Sequence, residues 1–444
     1  MLDPRLLTQI ADADDQDLIK LFKDLLPADL AEALSELARD EQVRVAKVLS
    51  PTIFALVLEE MEYTQAASLL ADLPLATAVA AVDQMSSDDA ADLLAELPPE
   101  LMEQVLAQLT DQQQLRQLLA YDEDSSGGIM ATEFLAVRPN WSTDKALTSV
   151  REKAREAETA YYVYVTDRAN RLRGVLSLRE LVLAPPNTPI WQIMHENPIA
   201  VKPDDDQESV AALFRHYHLL ALPVVNEAGV LQGIITGDDI LEVVDEEATE
   251  DIHRMAAMAP PAAPYLQSST FKLASQRLTW LLVLMVSATF TGQIIRSFEG
   301  ILSQIVSLAV FIPVLMDTGG NAGSQSATMI IRGLALGEIS LRDWFKVMRQ
   351  ELGVGAMVGV SLALVNFVRI LLVEGYAVEV AAVVSITLLT TVMLAKLIGG
   401  LLPILAKSAR LDPAIMAGPM ITTIVDALAL LCYFWLASML LGGH

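Results

Sequence analysis

Cysteine is almost missing from this 444-residue chain: Cys432 is the only one, so neither an intrachain disulfide framework nor a thiolate-held metal cluster can form within one chain. Histidine is scarce too, at five residues, and in the apolar C-terminal part only His444 is present. An enzyme working there would need a nucleophile with its base or a cluster of metal ligands, so an enzyme is not expected. Basic residues are few, with 30 Lys+Arg against 56 Asp+Glu and a formal charge of −26. That deficit argues against nucleic acid, whose phosphates need a basic face, and favours cations as partners. The N-terminus, MLDPRLLTQIADADDQD, has neither a basic n-region nor an apolar h-region. No secretory signal is expected, which predicts that the acidic part stays in the cytoplasm.

Against these absences stands an abundance of apolar residues, 53% of the chain. One solvated domain does not combine so much apolar content with so much unbalanced acid. Dividing the chain resolves the conflict: residues 1–270 hold 19 Lys+Arg and 47 Asp+Glu, a charge of −28, while residues 271–444 hold 11 and 9, a charge of +2. The second part carries five runs long enough to cross a hydrocarbon core. They are 278–295, 300–331 interrupted by Asp317, 352–368, 380–406 interrupted by Lys396, and 413–441 interrupted by Asp426. Loops on one side hold Arg332, Arg342, Lys346, Arg349, Lys407 and Arg410; those on the other hold Arg296, Glu299, Glu374 and Glu379. The positive-inside bias predicts a multi-pass membrane protein with its N-terminus in the cytoplasm and its C-terminus outside.

The soluble part contains two internal repeats. Pro27, Pro51, Pro74 and Pro98 recur every 23 or 24 residues, and proline suits a first helical turn. Ahead of two of them, Ala66, Leu69, Leu70, Leu73 and Ala90, Leu93, Leu94, Leu97 repeat one buried helical face. Residues 1–122 are expected to be an all-α superhelix. The second repeat begins at Ile129-Met130 and returns at Ile193-Met194; YYVYV and LRGVLSLREL in one copy answer LPVV and LQGIITGDDIL in the other, with Gly174 matching Gly233. Two α/β modules are predicted, 123–185 and 186–244. The pair resembles tandem cystathionine-β-synthase (CBS) domains, which implies a possible adenine nucleotide such as ATP. Ser177/Glu180 and Thr236/Asp239 then suit ribose hydroxyls or, equally, are ordinary helix caps. Tyr161, Tyr162 and Tyr164 offer a stacking face, with Arg179 near phosphate.

The stretch VVDEEATEDIHRMAAM, residues 243–258, reads as an acidic helix that ends at the breaker PPAAP and begins the linker 245–270. Its carboxylates repel at i, i+4 unless a cation lies between faces, although a solvated acidic face is the simpler reading for an isolated helix. In the membrane part, PVLMDTGGNAGSQSATMIIRG places Gly, Asn, Ser and Gln mid-span. Gly319, Gly320 and Gly323 permit close helix approach, and Asn321 and Gln325 can satisfy backbone groups that a broken segment would expose. Asp426, in GPMITTIVDALALL after Pro419, is an intramembrane carboxylate, costly unless it meets water or a cation. Asp317 and Lys396 have weaker claims and can snorkel or pair locally.

In this order, the proline-punctuated helical domain, the CBS pair, EEATEDIH, GGNxGxQS and a final Pro-x6-Asp helix resemble the MgtE family of magnesium channels over essentially the whole chain. The resemblance implies a homodimer in the lipid bilayer of the bacterial cytoplasmic (inner) membrane, each subunit joining the helical domain, the CBS pair, a plug helix (245–270) and a five-helix pore domain (271–444). It implies that Asp426 belongs to a filter touching hydrated Mg²⁺. It also implies that cytosolic Mg²⁺ closes the pore by bridging Asp89 and Asp92, Asp204, Asp206 and Glu208, Glu246, Glu247, Glu250 and Asp251, and Asp412. Two departures stand out: Gly418, where some members carry Asn, and His216 and His218, where members can carry acids. Oxygen ligands favour Mg²⁺, Ca²⁺ or Mn²⁺ without ranking them. A CBS-regulated transporter of another divalent cation (Mn²⁺, Co²⁺ or Ca²⁺) or of an unrelated solute is the alternative, and an anion path would want cationic residues where the best candidate is Asp426.

Overall fold

The computed structural model describes residues 10, 13–22, 25–259, 265 and 268–441. PPAAP, at 260–264, and His444 lie outside the described residues. The chain divides into two compact units, Met1–Val244 and Asp245–His444.

In the first unit the prolines start helices as their fixed φ allows. Pro27 and Pro51 open Pro27–Glu36 and Pro51–Glu59; Pro74 and Pro98 cap Leu75–Val82 and Pro99–Leu106. Each repeat adds a second helix, Arg39–Val48, Tyr63–Ala71, Ser87–Ala95 or Gln112–Leu118. Successive proline-headed helices pack on one another in one row, and Tyr63–Ala71, Ser87–Ala95 and Gln112–Leu118 form a second. The predicted face, Ala66, Leu69, Leu70 and Leu73 with Ala90, Leu93, Leu94 and Leu97, is buried between the rows. Each such leucine cut back to alanine would cost about 2–5 kcal/mol.

The two α/β copies are built as hairpins, Tyr162–Thr166 against Leu172–Ser177 and Ala221–Val225 against Leu231–Thr236, both antiparallel. The Ile-Met segments are exchanged between them. Strand His195–Glu196 of the second copy pairs with Leu172–Ser177 of the first, and Ala131 of the first bridges Ile234 of the second. The matched glycines make room for this exchange: a Cβ on Gly174 would lie 2.9 Å from Met194 Sδ, and one on Gly233 3.0 Å from Met130 Sδ. Helix Gly237–Met255 follows the last strand directly, starting six residues earlier than its acidic stretch suggested.

In the second unit, four helical segments are long and apolar enough to cross a membrane among the described residues: Thr270–Ser297, Leu341–Glu374, Val378–Ser408 and Pro413–Leu441. Helix Leu308–Ala335 equals the first in length at 28 residues, and the run DTGGNAGSQS lowers its hydropathy. The apolar stretch 300–331 is not one helix, because Glu299–Gln304 ends at a non-helical Ile305 and a new helix starts at Leu308. That second helix then runs unbroken through GGNAGSQS. The glycines therefore do not break the segment, and no backbone groups are released for Asn321 and Gln325 to satisfy. Leu308–Ala335, Val378–Ser408 and Gly418–Leu441 form the core of the unit, and Trp344–Arg369 lies along Val378–Ser408.

Candidate ion path and cation-sensing surfaces

The polar motif works through close packing. A Cβ on Gly319 would meet Thr391 Cγ2 at 2.7 Å, one on Gly320 Thr422 Cγ2 at 2.9 Å, and one on Gly323 Ile421 Cγ2 at 2.6 Å. Three helices thereby meet along one face of the motif, the geometry that small residues allow in membranes. Lys396 neither snorkels nor reaches a boundary. It is 5% exposed, and its Nζ donates to Gln325 Oε1 and Ser326 Oγ at 3.3 Å and to Ala322 O at 3.4 Å. Ser326 Oγ donates in turn to Glu351 Oε2 at 2.5 Å, so the buried ammonium gains a counter-charge through a serine. Gln325 is thus tied to Lys396, while Asn321 is exposed on the single chain. Asp426 is half-buried on the terminal helix, one residue beyond Val425, which touches Gly319. Pro419 stands in the first turn of that helix, its carbonyl accepting from Thr422 and Thr423 at 2.9 Å. Gly418, with φ +40°, begins the helix; a left-handed backbone tolerates Gly and Asn best.

Just ahead of that helix, Asp412 caps the turn Pro413–Met416, accepting from Ala414 N at 2.7 Å. It also pairs with Arg254, whose other arm holds Glu250 one turn earlier. Asp251 is pushed up to about 6 by burial, then by repulsion from Asp412 and Glu247, with Arg254 and Arg332 partly offsetting the rise. Glu246 is exposed and Glu247 half-buried.

The first unit holds a denser acidic site. Asp88 and Asp89 open helix Ser87–Ala95, and Asp238 and Asp239 open helix Gly237–Met255. Burial, then Asp239, Asp89 and Glu158, hold Asp88 well above the usual carboxylate range. Asp89 is raised by burial and Asp238 although it accepts from Tyr63 Oη at 2.6 Å and from Ser86 Oγ. Glu158 is pushed up to about 7 by burial and by Asp239, Asp89, Asp238 and Glu59. Glu59, Asp239 and Glu242 are raised for the same two reasons. Every charged neighbour named for these groups is itself an acid. Asp92 is half-buried in the same helix as Asp88. Asp204, Asp206 and Glu208 lie exposed at the head of Gln207–Tyr217, where Asp206 serves as the cap. Among the described residues no three His, Cys, Asp or Glu side chains are set to hold one ion.

The nucleotide candidates divide. Tyr164 is 1% exposed, packed edge-to-face on Phe134 with centroids 6.4 Å apart; it is core and offers no stacking face. Tyr161 is exposed and Tyr162 half-buried. Ser177 and Glu180 form a reciprocal capping box, and Glu180 Oε1 also meets His195 Nε2 at 2.7 Å, beside exposed Arg179. Asp239 caps likewise, accepting from Thr236 N at 3.0 Å, and faces Asp88 rather than open solvent.

The family model described as a divalent cation transporter matches residues 312–436, that of the MgtE intracellular N domain 25–124, and that of the CBS domain 126–187 and 190–246. The magnesium transporter MgtE of Thermus thermophilus is 41% identical over 324 residues, which cover 73% of this chain and 72% of that protein. The chain belongs to the MgtE family. The MgtE of Bacillus subtilis is 35% identical over 325 residues, covering 72% and 70%. MgtE proteins are membrane transporters, not enzymes. A crystal structure of the soluble part of a magnesium transporter aligns with TM-score 0.52 and 33% identity over 55% of this chain and 96% of that one. The cytosolic domain of the Mg²⁺ channel MgtE in complex with ATP aligns with TM-score 0.51 and 34% identity over 53% and 97%.

Sequence reasoning passed over Asp88, Glu59, Glu158, Asp238, Glu242 and Arg254. Two had a signal. Asp88 shares a helical face with Asp92 at i, i+4, and Arg254 follows Glu250 by the same step. Glu59 and Glu158 reach the cluster only through tertiary packing.

Proposed function

We propose that this chain is a Mg²⁺-selective channel that admits magnesium across the cytoplasmic membrane and closes when cytosolic Mg²⁺ rises. Two copies, each contributing five membrane helices, place two Asp426 carboxylates on one axis. Magnesium dehydrates reluctantly, so these carboxylates meet the ion through its water shell. The observation that carries the gating half of this reading is the acid-only cluster of Asp88, Asp89, Glu158 and Asp239, which gains stability from a divalent cation between its faces. Mg²⁺ ordinarily takes one or two carboxylates and keeps several waters, so a site without three convergent ligands suits it. The second contact, Asp251 against Asp412, extends the same logic to helix Gly237–Met255, which acts as the plug. Asp89, Asp92, Asp204, Asp206, Glu208, Glu246 and Glu247 supply further charge for the ions to screen. Tyr161, Tyr162, Ser177, Arg179 and Glu180 form the cleft for an adenine nucleotide, a reading supported by the likeness to the ATP-bound cytosolic domain.

Limited proteolysis of the full chain across a Mg²⁺ titration tests the gating. Cleavage within residues 25–258 should slow as Mg²⁺ rises from micromolar to ~10 mM, well above sensor-type affinities. Equal cleavage at both ends would reject cation-bridged closure.

A further inference from the structure

Arg254 is a fixed cation where a gating ion would be expected to act. One guanidinium arm pairs with Glu250 on its own helix and the other with Asp412, which caps the turn leading into the terminal membrane helix. The three side chains are 22–35% exposed, so these charge-assisted contacts lie partly out of water, where they are stronger than at a free surface. Glu247 and Asp251 complete the acids around it, and Arg332 is the other base acting on Asp251. A second contact lies beside the ion pair. A Cβ on Gly418 would stand 2.5 Å from the carbonyl oxygen of Met255, the residue after Arg254. The helix end therefore meets the start of the terminal helix backbone to backbone, and only glycine leaves the space.

We infer that Arg254 is a built-in latch: its guanidinium holds the end of the linker helix against Asp412, with Gly418 as the seat, and so lowers the Mg²⁺ needed to close the pore. The inference rests on the gating reading above for its consequence, but the contact can be tested without transport. Removing the charge leaves Glu247, Glu250, Asp251 and Asp412 facing each other with less compensation, so an ion must supply what Arg254 supplied. In Arg254→Gln the Mg²⁺ concentration for half-closure should rise about tenfold, the scale of one charge-assisted contact, while Mg²⁺ selectivity stays unchanged. Arg254→Lys should recover part of the shift. In an Asp412→Asn background Arg254→Gln should add little, because the pair is already broken.

Hydrogen exchange of the full-length protein in nanodiscs, in EDTA, reads the contact directly. Amides 251–258 and 414–417 should exchange faster in Arg254→Gln than in the unaltered protein, and Gly418→Ala should do the same by displacing Met255. Unchanged exchange in Arg254→Gln overturns the latch, as does half-closure at lower Mg²⁺, which would make Arg254 a competitor of the ion. If exchange rises as expected but the unaltered protein never closes with Mg²⁺, the latch stands and the gating reading falls.

Discussion

Asp88→Asn is the sharpest test of the acid cluster. Asp88 is 7% exposed, its charged form opposed by burial and by Asp239, Asp89 and Glu158, with one backbone contact, from Asp89 N at 3.1 Å, in its favour. Asparagine keeps the shape and the acceptor and deletes the charge. Stranding an ion in a protein interior costs about 3–5 kcal/mol. The substitution relieves part of that cost, so at pH 7.5 it should stabilise the Mg²⁺-free contact by about 1–3 kcal/mol. Each 1.4 kcal/mol is a factor of ten in an equilibrium, so amides of Ser87–Ala95 should exchange roughly 5- to 150-fold more slowly in EDTA, measured on the full chain in detergent. Mg²⁺ should then add less protection than it adds to the unaltered protein, since one of the charges it screens is gone. Faster exchange in EDTA, or an undiminished Mg²⁺ increment, would refute the idea that repulsion among these acids opposes docking.

Acidification should mimic Mg²⁺ at the same place. Glu158 stands at about 7 in the folded protein against an ordinary 4.5, so its share of stability is fully present below about pH 4.5 and lost as pH rises through 7. After discounting for solvent screening of a partly exposed group, this share is on the order of 1–2 kcal/mol. Proteolysis of the Mg²⁺-free protein should accelerate between pH 5 and pH 8, and Mg²⁺ should suppress the acceleration; a flat profile would exclude Glu158. Gly323→Ala should lower stability in detergent by about 1–3 kcal/mol through overpacking, because its Cβ would lie 2.6 Å from Ile421 Cγ2; thermal unfolding followed by size-exclusion retention reads the loss. Asp426→Ala should abolish Mg²⁺ permeation while the protein keeps the elution volume of the unaltered protein on a sizing column, and permeation with unaltered selectivity would move attention to Asp317.

Periodicity carried the architecture. The proline spacing predicted where helices begin, since a fixed φ is a local property, and the leucines at i, i+3, i+4 and i+7 are the buried face found between the two helical rows. Gly174 and Gly233 marked equivalent positions and read as turns, whereas both lie inside strands; the exchange of Met130 and Met194 between the copies, which those glycines admit, is a tertiary arrangement that no local pattern encodes. The same limit explains the site. Asp251 and Asp412 were named through the family resemblance, but Glu158 joins Asp88 and Asp239 only because two domains pack there. Tyr164 read as a stacking face because alternation assigns residues to faces of a strand without saying which face is covered. The glycine-rich motif read as an interruption because composition reports polarity, whereas the helix keeps its hydrogen bonds and uses the glycines for contact.

Mg²⁺ influx into liposomes containing the purified full-length protein tests the central claim most directly, with an indicator dye inside and Mg²⁺ raised separately on each face. Influx should exceed that of protein-free liposomes, resist competing monovalent cations, and fall when Mg²⁺ at the face bearing the acidic domains is preset to ~10 mM. Influx no greater than in empty liposomes would contradict magnesium transport, and influx indifferent to Mg²⁺ on that face would contradict its gating.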